Sequence, residues 1–208
     1  MADQLILYTN PMSRGRIARW MIEETGAPYE TVLLGYGETM KDADYLAINP
    51  MGKVPAIRHG DRTVTECAAI CAYLAEAYSD AGLAPTAEER ADYYRWMFFA
   101  AGPVEAAIMD RTLGVVPTDE QKMMVGYGDY DRTVDVLVAA VSAHPYIAGE
   151  RFTAADVYVG SHVMWGTQFG TLPKRDAFAA YVARLSERAA YKAASAKDDA
   201  AMPKEGQG

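Results

Sequence analysis

Cysteine is scarce in this chain: only Cys67 and Cys71 occur among the 208 residues. Two cysteines argue against a disulfide scaffold, and these two stand four positions apart on one predicted helix. A structural metal site needs about four ligands, and this pair lacks the companions that would complete such a set. We therefore expect two free, small, buried side chains and no bound metal.

Long apolar runs and an excess of basic residues are also missing. No segment reaches the roughly 18 apolar residues of a membrane span. The start of the chain, Met1 to Gln4, has no basic segment before an apolar run, so we expect no signal peptide and a cytoplasmic protein. The net charge is −8, and neither half of the chain is basic. A nucleic-acid partner is therefore disfavoured.

The first 79 residues mix short strands with helices. The apolar run from Gln4 to Tyr8 is typical of a strand, and Arg14 to Thr25 has helical spacing before the stop signal of Gly26. Further predicted elements are a strand at 29–34, a helical turn at 41–48, strands at 54–57 and 63–65, and a helix at 66–78. The order β-α-β-α-β-β-α predicts a thioredoxin-like α/β domain over residues 1–79.

Beyond residue 79 the pattern is helical throughout. Aspartate, glycine and proline cluster at 79–85 and indicate a linker. The sequence predicts helices at 86–113, 118–143, 153–165 and 174–187, and a polar, frayed tail from Lys197 onward. Residues 86–208 therefore form a predicted all-helical domain. Within it, Thr153 and Asp156 are expected to cap a buried helix and to serve folding rather than catalysis.

The most informative segment is Asn49-Pro50-Met51-Gly52-Lys53-Val54-Pro55-Ala56-Ile57, followed closely by Glu66. A proline inside an apolar run cannot donate a ladder hydrogen bond, so Pro55 indicates an edge strand or an interrupted one. Glu66 then opens a helix, and a helix start offers free N–H groups and positive potential. Open backbone groups beside a helix start are suited to holding a small peptide-like ligand.

At this spacing the two segments resemble the glutathione site of the cytosolic glutathione S-transferase family. The resemblance covers nearly the whole chain. It implies a thioredoxin-like domain followed by an all-α domain, and a cis Val54–Pro55 bond whose Val54 main chain pairs with the cysteinyl part of glutathione. It assigns the γ-glutamyl end to Glu66 and Cys67. Cys67 departs from the serine usual in the family, and a thiol is the weaker hydrogen-bond donor.

The resemblance also implies a hydroxyl donor for the glutathione thiolate, between the first strand and the first helix. Ser13 is the first choice because it directly precedes the helical pattern and matches the Pro-x-Ser-Arg region of serine-type members. Tyr8 is the second choice, and Thr9 and Asn10 are reserves. No cysteine lies in this segment, so the chain departs from the members that use one there. Lys41 and Lys53 are candidates for pairing with the glycyl carboxylate.

The electrophile pocket is poorly encoded, and its candidate lining residues are Met12, Arg95, Phe99 and Trp165. The expected function is a glutathione transferase that joins the glutathione thiolate, as co-substrate, to a small hydrophobic electrophile, a role in detoxification. The family implies a homodimer. Two alternatives stay open: a glutathione-dependent peroxidase toward organic hydroperoxides, and a non-catalytic module with the same fold.

Overall fold

Four short strands form one mixed sheet near the start of the chain. The computed structural model describes residues 3–203, so the ends of both predicted domains, at 1–2 and 204–208, lie outside the described residues. The strands are β1 (Leu5–Thr9), β2 (Glu30–Leu33), β3 (Ala56–His59) and β4 (Arg62–Val64), in the order β2-β1-β3-β4. β1 runs parallel to β2 and antiparallel to β3, and β3 and β4 are antiparallel.

Helices complete this first unit. They are α1 (Gly15–Thr25), the one-turn α2 (Ala43–Leu46) and α3 (Cys67–Ala77), with 3₁₀ turns at Thr39–Lys41 and Ser79–Ala81. Ile17, Trp20 and Met21 of α1 are buried, as their helical spacing predicts. The strand and helix order is that of a thioredoxin-like domain, which confirms the predicted fold class. Strand β3 begins at Ala56 rather than at residue 54.

The last helix of the chain belongs to the same unit. Within residues 3–203, the structure divides into a unit made of the residues up to 82 together with those from 187 onward, and a unit of residues 83–186. This differs from the predicted second domain, which extended from 86 to 208. The predicted fraying from Lys197 was wrong for residues 197–200, because they continue α9 (Ala189–Ala200).

Ion pairs account for the position of α9. Asp198 is fully buried and its Oδ1 accepts from Nε of buried Arg19 in α1 at 2.8 Å. Lys197 reaches Glu23 at 2.5 Å. Separating α9 from α1 would break this buried pair. Breaking a buried pair by removing one partner is strongly destabilising, because it leaves an uncompensated buried charge. Charged residues that look like a solvated tail in the sequence therefore hold α9 to α1.

The second unit, residues 83–186, contains helices and no strand. Its helices are α4 (Arg90–Phe99), α5 (Glu105–Thr112), α6 (Tyr130–Ala143), α7 (Ala154–Phe169) and α8 (Asp176–Ser186). A π-helical segment, Ala100–Val104, joins α4 to α5 where one long helix was predicted. Pro103 lies in that segment, and proline has no N–H to keep the regular pattern of bonds. In residues 3–203, no helix combines the length and apolarity needed to cross a membrane.

The predicted helix at 118–143 begins later than expected. Residues 118–129 contain a single 3₁₀ turn, Gln121–Met123, and α6 starts at Tyr130. Gly128 has a φ of 68°, a left-handed conformation that interrupts a helix. Asp129 then caps α6, since its Oδ1 accepts from the N–H of Arg132 at 2.8 Å.

Asp156 organises the buried helix α7. Its carboxylate is fully buried and accepts from the N–H groups of Ile147 and Thr153, at 2.7 and 2.9 Å, and from the Tyr181 hydroxyl at 2.8 Å. Thr153 and Asp156 form the predicted capping box at the start of α7. The carboxylate thus joins the preceding loop, the start of α7 and α8, which is a folding role.

We expect Asp156→Ala to lower the free energy of unfolding by about 3 kcal/mol or more, because several buried donors lose their acceptor at about 1–3 kcal/mol each. Urea denaturation followed by circular dichroism measures the change. Asp131→Ala is the control, since Asp131 is exposed in the first turn of α6 and should cost less than about 1 kcal/mol. Equal unfolding curves for the two variants would contradict the structural role of Asp156.

Candidate active site

A tight turn, residues 10–14, connects β1 to α1 and contains the first-choice donor. The Ser13 hydroxyl oxygen accepts from the N–H of Gly15 at 2.9 Å, and the hydroxyl donates to the Asn10 carbonyl at 2.6 Å. The Ser13 N–H donates to the same carbonyl at 3.1 Å. The hydroxyl therefore lies at the start of α1, where the helix dipole is positive.

Gly15 allows β1 and α1 to approach closely. A Cβ at this position would lie 1.8 Å from Thr9 Oγ1 and 3.0 Å from Ser13 Oγ. Thr9 is fully buried, and its hydroxyl has no hydrogen-bond partner among the described residues. This burial favours a packing role for Thr9, because a hydroxyl closed off beneath the helix start has no access to a ligand.

The side chains of Tyr8 and Asn10 already contact other residues of the protein. Tyr8 is 8% exposed and packs against Tyr45, with ring centroids 5.7 Å apart. The Asn10 side chain accepts from the Met12 N–H at 2.9 Å and donates to the Leu34 carbonyl at 2.8 Å. Of the four candidate donors, Ser13 alone combines partial exposure with a hydroxyl at the helix start.

The Val54–Pro55 peptide bond is cis. The segment before it is held by two donors to one carbonyl: the Tyr45 hydroxyl and the Asn49 amide reach the Lys53 C=O at 2.5 and 2.8 Å. No residue within 3–203 forms a hydrogen bond with the Val54 main chain. The segment is therefore fixed by its neighbours while Val54 keeps an open N–H and C=O.

Tyr45 stays neutral in this position. It is buried, and burial raises the pKa of its phenol to about 12, with nearby Tyr8 adding to the effect. The Tyr45 hydroxyl therefore remains a donor to the Lys53 carbonyl throughout the physiological pH range. No sequence pattern predicted this role, since a tyrosine in a short helical turn has many ordinary uses. Asn49 lay within the predicted motif, but its bond to Lys53 was not foreseen.

The start of α3 lies beside the start of α1. Glu66 precedes α3 with a φ of 63°, the only non-glycine residue in the described chain with a positive φ. Such a conformation costs about 1–3 kcal/mol and is concentrated at functional sites. The Glu66 side chain is exposed, while the Cys67 thiol contacts the Arg14 carbonyl at 3.6 Å. This contact brings the turn of Ser13 together with Glu66.

Cys71 is one helical turn beyond Cys67 and is fully buried. Burial raises the pKa of the Cys71 thiol well above its ordinary value, and the neighbouring Cys67 raises it further. A buried neutral thiol is a poor nucleophile. Within residues 3–203, no cluster of histidine, cysteine and acidic side chains is suited to holding a metal ion.

The two predicted lysines differ in their surroundings. The Lys41 ammonium donates to the Gly52 carbonyl at 2.9 Å, so it bridges to the segment before Val54. The Lys53 side chain is exposed and has no partner within residues 3–203, although its carbonyl is held as described. Lys53 is therefore the better placed of the two for a ligand carboxylate.

The four candidate electrophile contacts are divided between the two units. In the first unit Met12 is 58% exposed. In the second unit Arg95 is exposed and stacks over the Trp96 ring at 4.3 Å, and Phe99 meets the same ring edge-on. Trp165 is half-buried on α7. That these residues form one pocket stays a prediction.

Comparison with known proteins identifies the family. Residues 3–76 match the family model for the N-terminal domain of glutathione S-transferases. Glutathione S-transferase F10 of Arabidopsis thaliana is 30% identical over 213 aligned positions, which cover 93% of this chain and 97% of that protein. The chain therefore belongs to the glutathione S-transferase family. This confirms the predicted family and class of enzyme.

Solved structures give the same result. A glutathione transferase from Methylococcus capsulatus has a TM-score of 0.77 at 25% identity, covering 94% of this chain and 99% of that one. A theta class glutathione S-transferase from Xanthomonas axonopodis pv. citri, with glutathione bound, has a TM-score of 0.72 at 27% identity, covering 93% and 97%. Both span nearly the whole chain and therefore agree with the predicted fold class, a thioredoxin-like α/β part followed by a helical part.

We expect Gly15→Ala to lower the free energy of unfolding by about 1–3 kcal/mol, because the added methyl group meets a buried, β-branched Thr9 that cannot turn away. Gly102→Ala is a matched control. Gly102 is also helical, but an added Cβ there has no neighbour within 4 Å. That variant should be neutral or more stable by up to about 1 kcal/mol. Denaturation curves that rank the two variants in the opposite order would refute the close approach.

Proposed function

We propose that this enzyme joins the thiolate of glutathione to small hydrophobic electrophiles, with Ser13 as the donor that stabilises the thiolate. The observation that carries the proposal is the contact between the Cys67 thiol and the Arg14 carbonyl, 3.6 Å long. It holds the start of α1, with Ser13, beside the start of α3, with Glu66. A γ-glutamyl group held at Glu66 would then present the rest of the tripeptide to the turn of Ser13.

The chemistry requires a thiolate. A free thiol has a pKa of about 8.5, so only a few per cent is ionised at pH 7. Lowering this pKa by one to two units needs about 1.4–2.8 kcal/mol of preferential stabilisation of the anion. A hydrogen bond from a hydroxyl to an anion, at the positive end of a helix, can supply this amount. The proposed Ser13 contact is therefore sufficient in energy.

The Ser13 hydroxyl is arranged for such a donation. Its oxygen is held by the Gly15 N–H, while its hydrogen points to the Asn10 carbonyl. A hydroxyl has one hydrogen and two lone pairs, so the hydrogen can turn toward a sulfur anion while the oxygen keeps its bond to Gly15. The donor then needs little movement when glutathione binds, which is the general requirement for electrostatic stabilisation.

Binding of glutathione, the co-substrate, would use three further groups of contacts. We assign the cysteinyl backbone to the open main chain of Val54, beside Pro55. Glu66 would pair with the amino group of the γ-glutamyl end, and the backbone N–H of Cys67 would bind its carboxylate. The exposed ammonium of Lys53 would meet the glycyl carboxylate, with Lys41 holding the segment in place through the carbonyl of Gly52.

The remaining parts of the proposal concern the second substrate and the assembly. Residues 1–79 would bind glutathione, and residues from 86 onward would supply most contacts to the electrophile. We expect a homodimer in the cytoplasm, as is typical of the family. Two exposed aromatic side chains one turn apart on α4, Tyr94 and Phe98, offer apolar surface for the second subunit. Peroxidase activity would use the same thiolate, so comparing organic hydroperoxides with electrophiles as second substrates separates the two reactions.

We expect Ser13→Ala to raise the apparent pKa of enzyme-bound glutathione toward the free value of about 8.5, because the thiolate loses its donor. Turnover at pH 7 should fall, and the loss should shrink as the pH rises and solution chemistry supplies the thiolate. Thiolate absorbance against pH measures the shift. Binding of S-methyl glutathione, which has no ionisable thiol, should change little.

Two further variants make this titration decisive. Ser13→Thr keeps the hydroxyl and should retain a lowered pKa, whereas Tyr8→Phe should titrate as the wild type does. A shifted curve for Tyr8→Phe together with an unshifted curve for Ser13→Ala would move the role to Tyr8. If neither curve shifts, and glutathione still binds by calorimetry, Ser13 serves only to begin the helix.

Glu66→Gln should raise the Michaelis constant for glutathione and leave the fold intact, because its exposed carboxylate is proposed to pair with the amino group of the ligand. Loss of a charged hydrogen bond of about 1.5–3 kcal/mol corresponds to roughly 10- to 150-fold. Glu76→Gln is a matched control on the same helix, since Glu76 is exposed near the end of α3. Equal glutathione affinities for the two variants, by calorimetry, would remove Glu66 from the site.

A further inference from the structure

Asn10 forms hydrogen bonds with two residues of the active-site turn, Met12 and Ser13, and with Leu34 outside it. Its side-chain oxygen accepts from the Met12 N–H at 2.9 Å, and its side-chain nitrogen donates to the Leu34 carbonyl at 2.8 Å. Its own carbonyl accepts from the hydroxyl and the N–H of Ser13, at 2.6 and 3.1 Å. Only one orientation of the amide satisfies both side-chain bonds, since the reverse would set donor against donor and acceptor against acceptor.

These bonds connect Ser13 to the sheet. Leu34 is buried next to Tyr8 and Tyr45, and its N–H donates to the Thr9 carbonyl at 2.9 Å. The Asn10 amide therefore fastens the turn to a packed part of the first unit. A side chain that reached only its own turn could define the local backbone but could not fix the turn relative to β1 and β2.

We infer that Asn10 is a positioning residue for Ser13 and does not itself touch the sulfur, an inference that rests on the function proposed above. Asn10 fixes the carbonyl that receives the Ser13 hydrogen in the free enzyme. With Gly15 it thereby sets the position of the hydroxyl oxygen before glutathione binds. A hydroxyl held within a few tenths of an ångström stabilises an anion better than one that must first be ordered.

The competing role is that the Asn10 amide donates directly to the thiolate. The two roles differ in how they depend on Ser13. A positioning residue acts only through the Ser13 hydroxyl, so its effect disappears once that hydroxyl is removed. An independent donor keeps its effect in the absence of Ser13. A double-mutant cycle measures this difference.

The experiment compares the wild type, Ser13→Ala, Asn10→Ala and the double variant by thiolate absorbance against pH. We expect Asn10→Ala to raise the apparent pKa of bound glutathione, by less than Ser13→Ala does. The double variant should titrate as Ser13→Ala does. Each unit of rise corresponds to about a tenfold loss of thiolate at pH well below the pKa. kcat at pH 7 should fall accordingly, while the KM for glutathione changes less than about twofold.

Two further variants serve as an intermediate case and as a control. Asn10→Ser can still accept from the Met12 N–H but cannot reach Leu34, so its pKa should lie between those of the wild type and Asn10→Ala. Asn10→Ser also replaces Asn10→Ala in the double-mutant cycle if Asn10→Ala does not fold. Thr118→Ala removes a similar side-chain bond to a main-chain N–H, that of Gln121, in the second unit and should leave the titration unchanged.

Two results would overturn the inference while leaving the proposed function intact. In the first, Asn10→Ala titrates as the wild type does while Ser13→Ala is shifted. In the second, Asn10→Ala raises the apparent pKa of bound glutathione by the same amount in the Ser13→Ala background as in the wild type. The second result would make Asn10 an independent donor. A wild-type titration for Ser13→Ala would instead reject Ser13 as the thiolate donor, and the positioning role of Asn10 with it.

Discussion

The close approach of Thr9 and Gly15 fixes where α1 begins relative to the sheet. With any side chain at position 15, the added Cβ would lie 1.8 Å from Thr9 Oγ1, so the geometry requires glycine. Because α1 starts directly against the end of β1, residues 10–14 must turn sharply, and the Ser13 hydroxyl comes to lie at the helix start. The proposed chemistry therefore begins with a packing constraint between a buried threonine and a glycine.

The last helix of the chain supports the first. Arg19 and Asp198 form a buried pair at 2.8 Å, and Arg188 binds the Glu24 carboxylate through two nitrogens at 2.6 and 2.7 Å. Two-point contacts of this kind fix orientation as well as distance. Helix α1, which follows the Ser13 turn, is thus held at several points by α9 and by Arg188 just before it. The first structural unit therefore depends on residues at both ends of the sequence.

Local patterns predicted the fold well, and long-range contacts account for what they missed. Periodicity and Gly26 predicted α1 nearly to its ends, and the family resemblance predicted the cis Val54–Pro55 bond. The position of α9 was missed because its partners are more than 160 residues away in the sequence. The bonds from which we infer a positioning role for Asn10 were missed for a similar reason: its amide reaches Leu34, and only the folded turn shows that its carbonyl faces Ser13.

Cys67 illustrates how a departure from a family pattern can be accommodated. A serine at the start of α3 would offer a strong hydroxyl donor to a ligand, whereas the Cys67 thiol is 9% exposed and contacts the Arg14 carbonyl. A thiol is a weak donor, so little binding energy is lost when it is used inside the protein. The backbone N–H at a helix start is available whatever the side chain is. Under the proposed function, the side chain at position 67 therefore joins the two helix starts, and recognition of the γ-glutamyl carboxylate passes to the main chain.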